Sequence, residues 1–328
     1  MTASTLLDTE TRTVAPAAPA ASGTVASSTP TAPPTLARTV ADAAAAEVAV
    51  GPGTAPRWRR IAHLAGVIAL GLLLALLAAA VAVPGWLAPY PPLAADTQAT
   101  LQAPSAAHLL GTDPIGRDVL SRLIYGARYS LSIGVGATLL AAIIGTVLGT
   151  LAGIAPRAAD EFIVRLLDVV NAVPEILLAL VVIAIVGPGP LNIIIAIGIA
   201  AIPRFARVVR VQVRALQHSG WVESAVTQGL GFWHRVGKHI VPNTIGPVVV
   251  LATIGTGTAI LNAAGLSFLG LGPQPPAPEW GAVLAESRDY FNLGWWVAVF
   301  PGLAVLGTVC LITVVGRRLQ HRYQGTGV

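Results

Sequence analysis

Glu175 stands near the middle of an apolar run, Phe162 to Val186. If that run crosses a bilayer, a charge there costs about 2.5–3.5 kcal/mol on insertion scales, and such a residue usually faces a bundle interior or a wet cavity. Two chemistries fit: a carboxylate lining a conduit and meeting a cationic group such as an amine, or a protonated acid bonded to Asn171 or another buried polar group. We carry the conduit forward for Glu175 and Asn171. Other chemistry is thinly provided. His234 and His239 are five apart, off a common helix face, and have no third ligand nearby, so no metal site is expected. The single cysteine, Cys310, excludes an internal disulfide. A phosphate-binding loop needs G-x-x-x-x-G-K-[ST], but here Phe232 holds the first glycine position and His239 follows Lys238. Neither HExxH nor G-x-S-x-G occurs. No nucleophile, metal or nucleotide chemistry is expected of this chain by itself.

The polar stretch WVESAVTQGLGFWHRVGKHIVPN, Trp221 to Asn243, is built differently from a solvated loop. Ser219 could cap a helix whose first turn holds Glu223, a carboxylate at the positive helix end. Val222, Val226 and Leu230 would form an apolar stripe, with Ala225 and Gly229 leaving part of the surface bare. Such a helix fits a groove of another protein or lies on a membrane surface; the pattern alone divides evenly between the two.

These residues must be held by membrane elements. Charged residues make up 11% of the 328 and AVILMFWYC residues 54%, with a mean hydropathy of +0.73. A soluble domain carries about a quarter charged residues, so a polytopic membrane protein is expected. Residues Met1 to about Pro56, rich in Ala, Pro, Thr and Ser, read as a disordered tail. Six spans follow: Ile61–Val83, Tyr129–Ile154, Phe162–Val186, Leu191 to about Arg204, Ile240–Leu271 and Gly294–Val315. The first span and the external segment occupy 57–128, a five-helix core with the 220–235 helix occupies 129–318, and 319–328 forms a tail. GPGP at 187–190 divides a run too long for one crossing, and Gly145, Gly149 and Gly153 share a helix face that admits another backbone. Sixteen basic residues fall on the side of the termini against four, Arg117, Arg122, Arg128 and Arg288, on the other. Both termini are therefore expected in the cytoplasm, and the basic balance reports topology rather than nucleic-acid binding. Arg165 and Asp168, three apart, are expected to pair, and Asn192 and Asn262 to bond between helices.

Glu223-Ser224-Ala225, then Gly229, then His239-Ile240-Val241-Pro242-Asn243 resembles the EAA signature of ATP-binding-cassette (ABC) importer permeases, with Ser224 for the second position and Val241 for a leucine. HLLGTDPIGRDVLSRLIYGARYSL, His108 to Leu131, and LSFLGLGPQPPAPEWG, Leu266 to Gly281, are similar to segments of the C-type permease of dipeptide and oligopeptide importers. The resemblance covers about Arg57 to Arg318. It implies an all-α membrane protein with the type I importer permease fold, in the bacterial cytoplasmic (inner) membrane. Two cytoplasmic ATPase subunits would bind ATP and magnesium, a B-type permease would form the other half, and a solute-binding protein would deliver the cargo. Glu223, Ser224, Ala225, Gly229, His239, Pro242 and Asn243 would couple to the ATPase. The local turns around Gly111, Asp113, Gly116, Arg117 and Asp118, and around Gln274, Pro275, Pro276, Glu279 and Trp280, would form the external gate and docking surface; the alternative is loop packing against neighbouring spans. Glu175 departs from the family, which more often has a small or apolar residue there. Peptides are the expected cargo, with nickel chelates or glutathione-like substrates as alternatives. A secondary transporter is the rival class, but it predicts inverted repeats that are not seen here.

Overall fold

The computed structural model describes residues 57–325, with side chains from Ala65 to Tyr323 apart from Trp221, Glu223 and Val226. The expected N-terminal tail, 1–56, lies outside the described residues. The main helices are α1 (Arg57–Ala82), α2 (Val119–Ile154), α3 (Arg157–Asn171), α4 (Glu175–Val186), α5 (Pro190–Gln217), α6 (Gly220–Thr227), α7 (Phe232–Arg235), α8 (Val241–Phe268), α9 (Trp280–Ser287) and α10 (Trp296–Gly325). Contacts divide the chain into 1–61 and 62–328, and the packing below belongs to the second unit. Among the described residues, five helices are long and apolar enough to cross a membrane, and α3 with α4 forms a bent sixth. Leu72, Ile143, Ile185 and Leu306 are exposed on these helices, as expected of surfaces bathed in lipid.

The core is built on close helix contact. A Cβ on Gly145 would run into Phe205, on Gly149 into the Ala206 carbonyl, and on Gly153 into Val213. The glycine face read from the sequence is thus the seam between α2 and α5. Phe205 is fully buried there beside Ala141 and Ala142. A second cluster, including Ile133, Ile183, Ile197 and Leu266, binds α4 and α8 to the same pair.

The third span differs from expectation. Phe162–Val186 is two helices meeting at 85°, separated by Ala172, Val173 and Pro174. Proline disfavours helical conformation in the residue before it, and its missing N–H weakens the ladder. Glu175 therefore opens a short helix rather than standing in the middle of a long one. Arg165 does not hold Asp168 either: Asp168 accepts from Arg207 of α5 at 2.8 Å, and Asp160 joins Arg210 and Arg214 at 2.5 Å each. These bonds fasten α3 to α5. Asn192 serves the hairpin rather than a helix pair, donating to the Gly187 carbonyl at 3.0 Å. Three helices also outrun their expected limits. α2 begins ten residues before Tyr129, α5 continues through Arg204 to Gln217, and α10 carries the helix to Gly325 across the expected tail.

Candidate functional site

Three places hold the residues singled out above. The first is the loop from His218 to Asn243. α6 ends in a Schellman turn: Gly229 takes φ +73°, and the Leu230 N–H donates to the Ala225 carbonyl at 3.1 Å. The single helix expected over 220–235 is thus two, and Leu230 leaves the stripe. Ser219 does not cap α6 with its side chain, since its hydroxyl donates to the Leu216 carbonyl at 2.5 Å. Val222 and Ala225 are buried, so the small face points inward and Ser224, Thr227, Gln228 and Gly229 point out. Phe232 and Trp233 follow, 45% and 73% exposed, with their rings edge to face.

The base of this loop is firm. Val236 and Ile240 pack on Val209 and Val213 of α5, and Gln217 donates to the Gly153 carbonyl at 3.1 Å. Val236–Ile240 is a π turn immediately ahead of Pro242, which brings no N–H to the helical ladder. Asn243 donates to the His239 carbonyl at 2.7 Å. His239, Pro242 and Asn243 thus lie at the junction between loop and span, while Ser224 and Gly229 face outward. The His234 and His239 rings lie 6.4 Å apart, and no group of three His, Cys, Asp or Glu able to hold a metal occurs among the described residues.

The second place is the α3–α4 elbow. Asn171 and Glu175 border an open cavity of about 430 Å³ whose other wall is α5, with Arg204 and Arg207. Sequence reasoning brought Asn171 and Glu175 together but missed Arg204, which it placed at the end of the fourth span and counted with the basic residues on the side of the termini. The signal was present: the apolar period of α5 continues through Phe205, Val209 and Val213, all buried.

The third place is the opposite end of α2, where the segment 108–122 meets α9. Asp113 accepts from Arg117 Nε at 2.5 Å and Arg122 Nη1 at 2.7 Å, and both arginines reach Glu286, at 2.7 and 2.8 Å. Asp118 caps α2 through the Ser121 N–H at 2.8 Å and holds His108 at 2.9 Å. Glu279 caps α9 through the Ala282 N–H at 2.8 Å and accepts from Ser130 at 2.9 Å. Trp280 donates to the Leu123 carbonyl at 2.9 Å. Gly111 and Gly116 take φ of +78° and +82° with backbone pressed against them. Asp113, Arg117, Asp118, Glu279 and Trp280 are all buried. They fasten loop to helix and offer no contact surface, whereas Gln274, Pro275 and Pro276 are exposed. Arg122 and Glu286, central to this network, were not singled out as site residues in the sequence, since Glu286 lies more than 160 positions from both of its arginines.

The binding-protein-dependent transport system inner membrane component family matches residues 145–325, a stretch that includes the loop, the elbow and α10. This chain belongs to that family. The permease is 41% identical over 269 residues to the di/tripeptide transport system permease protein DppC of Pseudomonas aeruginosa, covering 80% of this chain and 89% of that protein. It is 44% identical over 220 residues to the dipeptide transport system permease protein DppC of Alkalihalophilus pseudofirmus, covering 67% and 72%. It is 41% identical over 264 residues to the glutathione transport system permease protein GsiD of Pectobacterium atrosepticum, covering 80% and 88%. Among solved structures, an inward-facing form of the MetNI methionine ABC transporter matches with a TM-score of 0.51 at 21% identity, covering 60% of this chain and 94% of that one. That likeness carries the fold alone: the permease has the architecture of a type I ABC importer permease. It is a membrane transport component of an ABC importer.

Proposed function

We propose that the permease forms half of the translocation path of an importer for short peptides, with the 218–243 loop as its contact to a cytoplasmic ATPase. The observation that carries this reading is the loop itself: a rigid base on α5 and α2 supporting an outward turn with Phe232 and Trp233 exposed. Aromatic side chains in such positions are the common anchors of protein interfaces. Movement imposed on the turn passes directly into α5 and α8, because Val236 and Ile240 are packed against α5 immediately ahead of α8. In this reading the termini are cytoplasmic and a B-type permease supplies the other half. A pair of ATPase subunits hydrolyses ATP, and a solute-binding protein docks at the end bearing Gln274, Pro275 and Pro276. The names of the relatives support peptide cargo, since di/tripeptides and glutathione are both short peptides.

The test is Glu223→Arg in the purified complex in lipid. We expect binding-protein-stimulated ATPase activity and peptide uptake to fall together by about tenfold or more, as loss of a charge-matched interface contact would produce, while the complex still purifies intact. If both activities persist, the turn is a membrane-surface element and the ATPase is engaged elsewhere.

A further inference from the structure

Two charges without an ion-pair partner stand on the walls of the elbow cavity, Arg204 with its guanidinium 5.8 Å from the centre of the Phe205 ring. α4 is 12 residues long, which places Glu175 about 18 Å from the tip of the α4–α5 hairpin at about 1.5 Å per residue. Arg204 is the fifteenth residue of α5, about 21 Å from the same tip. With the hairpin tip at one face of a hydrocarbon core about 30 Å thick, both would fall within the apolar layer. Neither makes an ion pair or a side-chain hydrogen bond among the described residues, and Arg204 Nε is buried without a partner. The tip of Arg204 is accommodated by Gly255 of α8, where a Cβ would stand 2.7 Å from Nη2. Arg207, on the same wall, is already neutralised by Asp168.

A lone charge at this depth is costly. Two opposite charges on one cavity, neither with a countercharge, are answered together by a ligand carrying both signs. We propose that the α3–α4 elbow binds a zwitterion, its carboxylate on Arg204 and its ammonium on Glu175. A cation alone would leave Arg204 uncompensated, and an anion alone would leave Glu175. The guanidinium fork matches a carboxylate in plane, and Asn171 supplies a neutral amide beside them. The cavity, about 430 Å³, falls within the common range for small-molecule sites, about 300–1,000 Å³. The ligand is then a short peptide with both ends free. This assignment rests on the peptide reading above and adds to it a requirement for the two termini.

The experiment uses the complete transporter in nanodiscs without its solute-binding protein, and measures equilibrium binding of radiolabelled dialanine. Glu175→Gln and Arg204→Gln should each weaken binding by about tenfold or more, as expected for a lost charge-assisted contact; Arg204→Lys should lose less. On the unmodified chain, N-acetyl-dialanine and dialanine amide should compete about tenfold more weakly than dialanine. E175Q should no longer discriminate against the acetylated peptide, nor R204Q against the amide. Where a variant fails to assemble, the two blocked peptides on the unmodified chain decide the matter. Equal competition by free and blocked peptides would overturn the site. Uptake into proteoliposomes with the binding protein present separates the two claims. Peptide uptake without elbow binding removes the zwitterion site and leaves the peptide reading standing. An absence of both uptake and binding removes the peptide reading, and this ligand with it.

Discussion

Asp113→Ala is expected to destabilise the permease by roughly 3–5 kcal/mol, the usual result of removing one partner from a buried ion pair. Asp113 is 3% exposed and accepts from both Arg117 and Arg122. Without it, two buried guanidinium groups share the single Glu286 carboxylate, and Arg122 already has Nε and Nη2 without hydrogen bonds. Asp113 also accepts from the Ile115 and Arg117 N–H groups, at 3.0 and 2.9 Å, so the turn loses its brace as well. Glu286→Gln should cost less, because Glu286 is 22% exposed and the amide still accepts one bond. Thermal and denaturant unfolding in detergent would show the order, and an Asp113→Ala loss below about 1 kcal/mol, the level of a surface pair, would contradict it.

Gly149→Leu is expected to prevent the permease from assembling. The first added carbon would collide with the Ala206 carbonyl, which is backbone and moves only if α5 moves. Overpacking of a side-chain core costs about 1–3 kcal/mol; forcing two spanning helices apart should exceed that. Gly153→Ala presses instead on the Val213 side chain, 2.6 Å from the new carbon, and should be milder. Gly237→Ala, with open space around it, serves as the neutral control. Yield of monodisperse protein from membranes would rank the three, and normal yield for Gly149→Leu would refute the close seam.

The spans and the glycine seam were legible because they depend on local composition and on a four-residue period. The break in the third span was missed: Pro174 carries the signal, but the apolar composition of Phe162–Val186 reads as one continuous crossing. Spacing rules misled at Asp168: Arg165 is three residues away, yet Arg207 across the hairpin takes the carboxylate. Local rules see i, i+3 neighbours and cannot see which helix a turn will bring alongside. The same blindness hid Glu286, whose partner Arg117 is 169 positions earlier. Gly229 was expected to leave part of a helix surface bare, and the structure gives it a different part, with φ of +73°. The residue stops a helix by adopting a positive φ, and so turns the aromatic pair outward. The acids of the 108–122 segment looked like surface chemistry in a chain poor in charge; they are buried because each has a donor set waiting for it.

α2 is one unbroken helix of 36 residues, about 54 Å of rod. Its first turns meet the ion-pair network and its last turn receives Gln217 at the foot of the loop. A rod gripped at both ends behaves as a see-saw: tilting it by about 10° about its centre carries each tip about 5 Å, in opposite directions. For a helix that tilts as one piece, whatever widens the gap at one face of the bundle narrows it at the other, and no break interrupts α2 between the two.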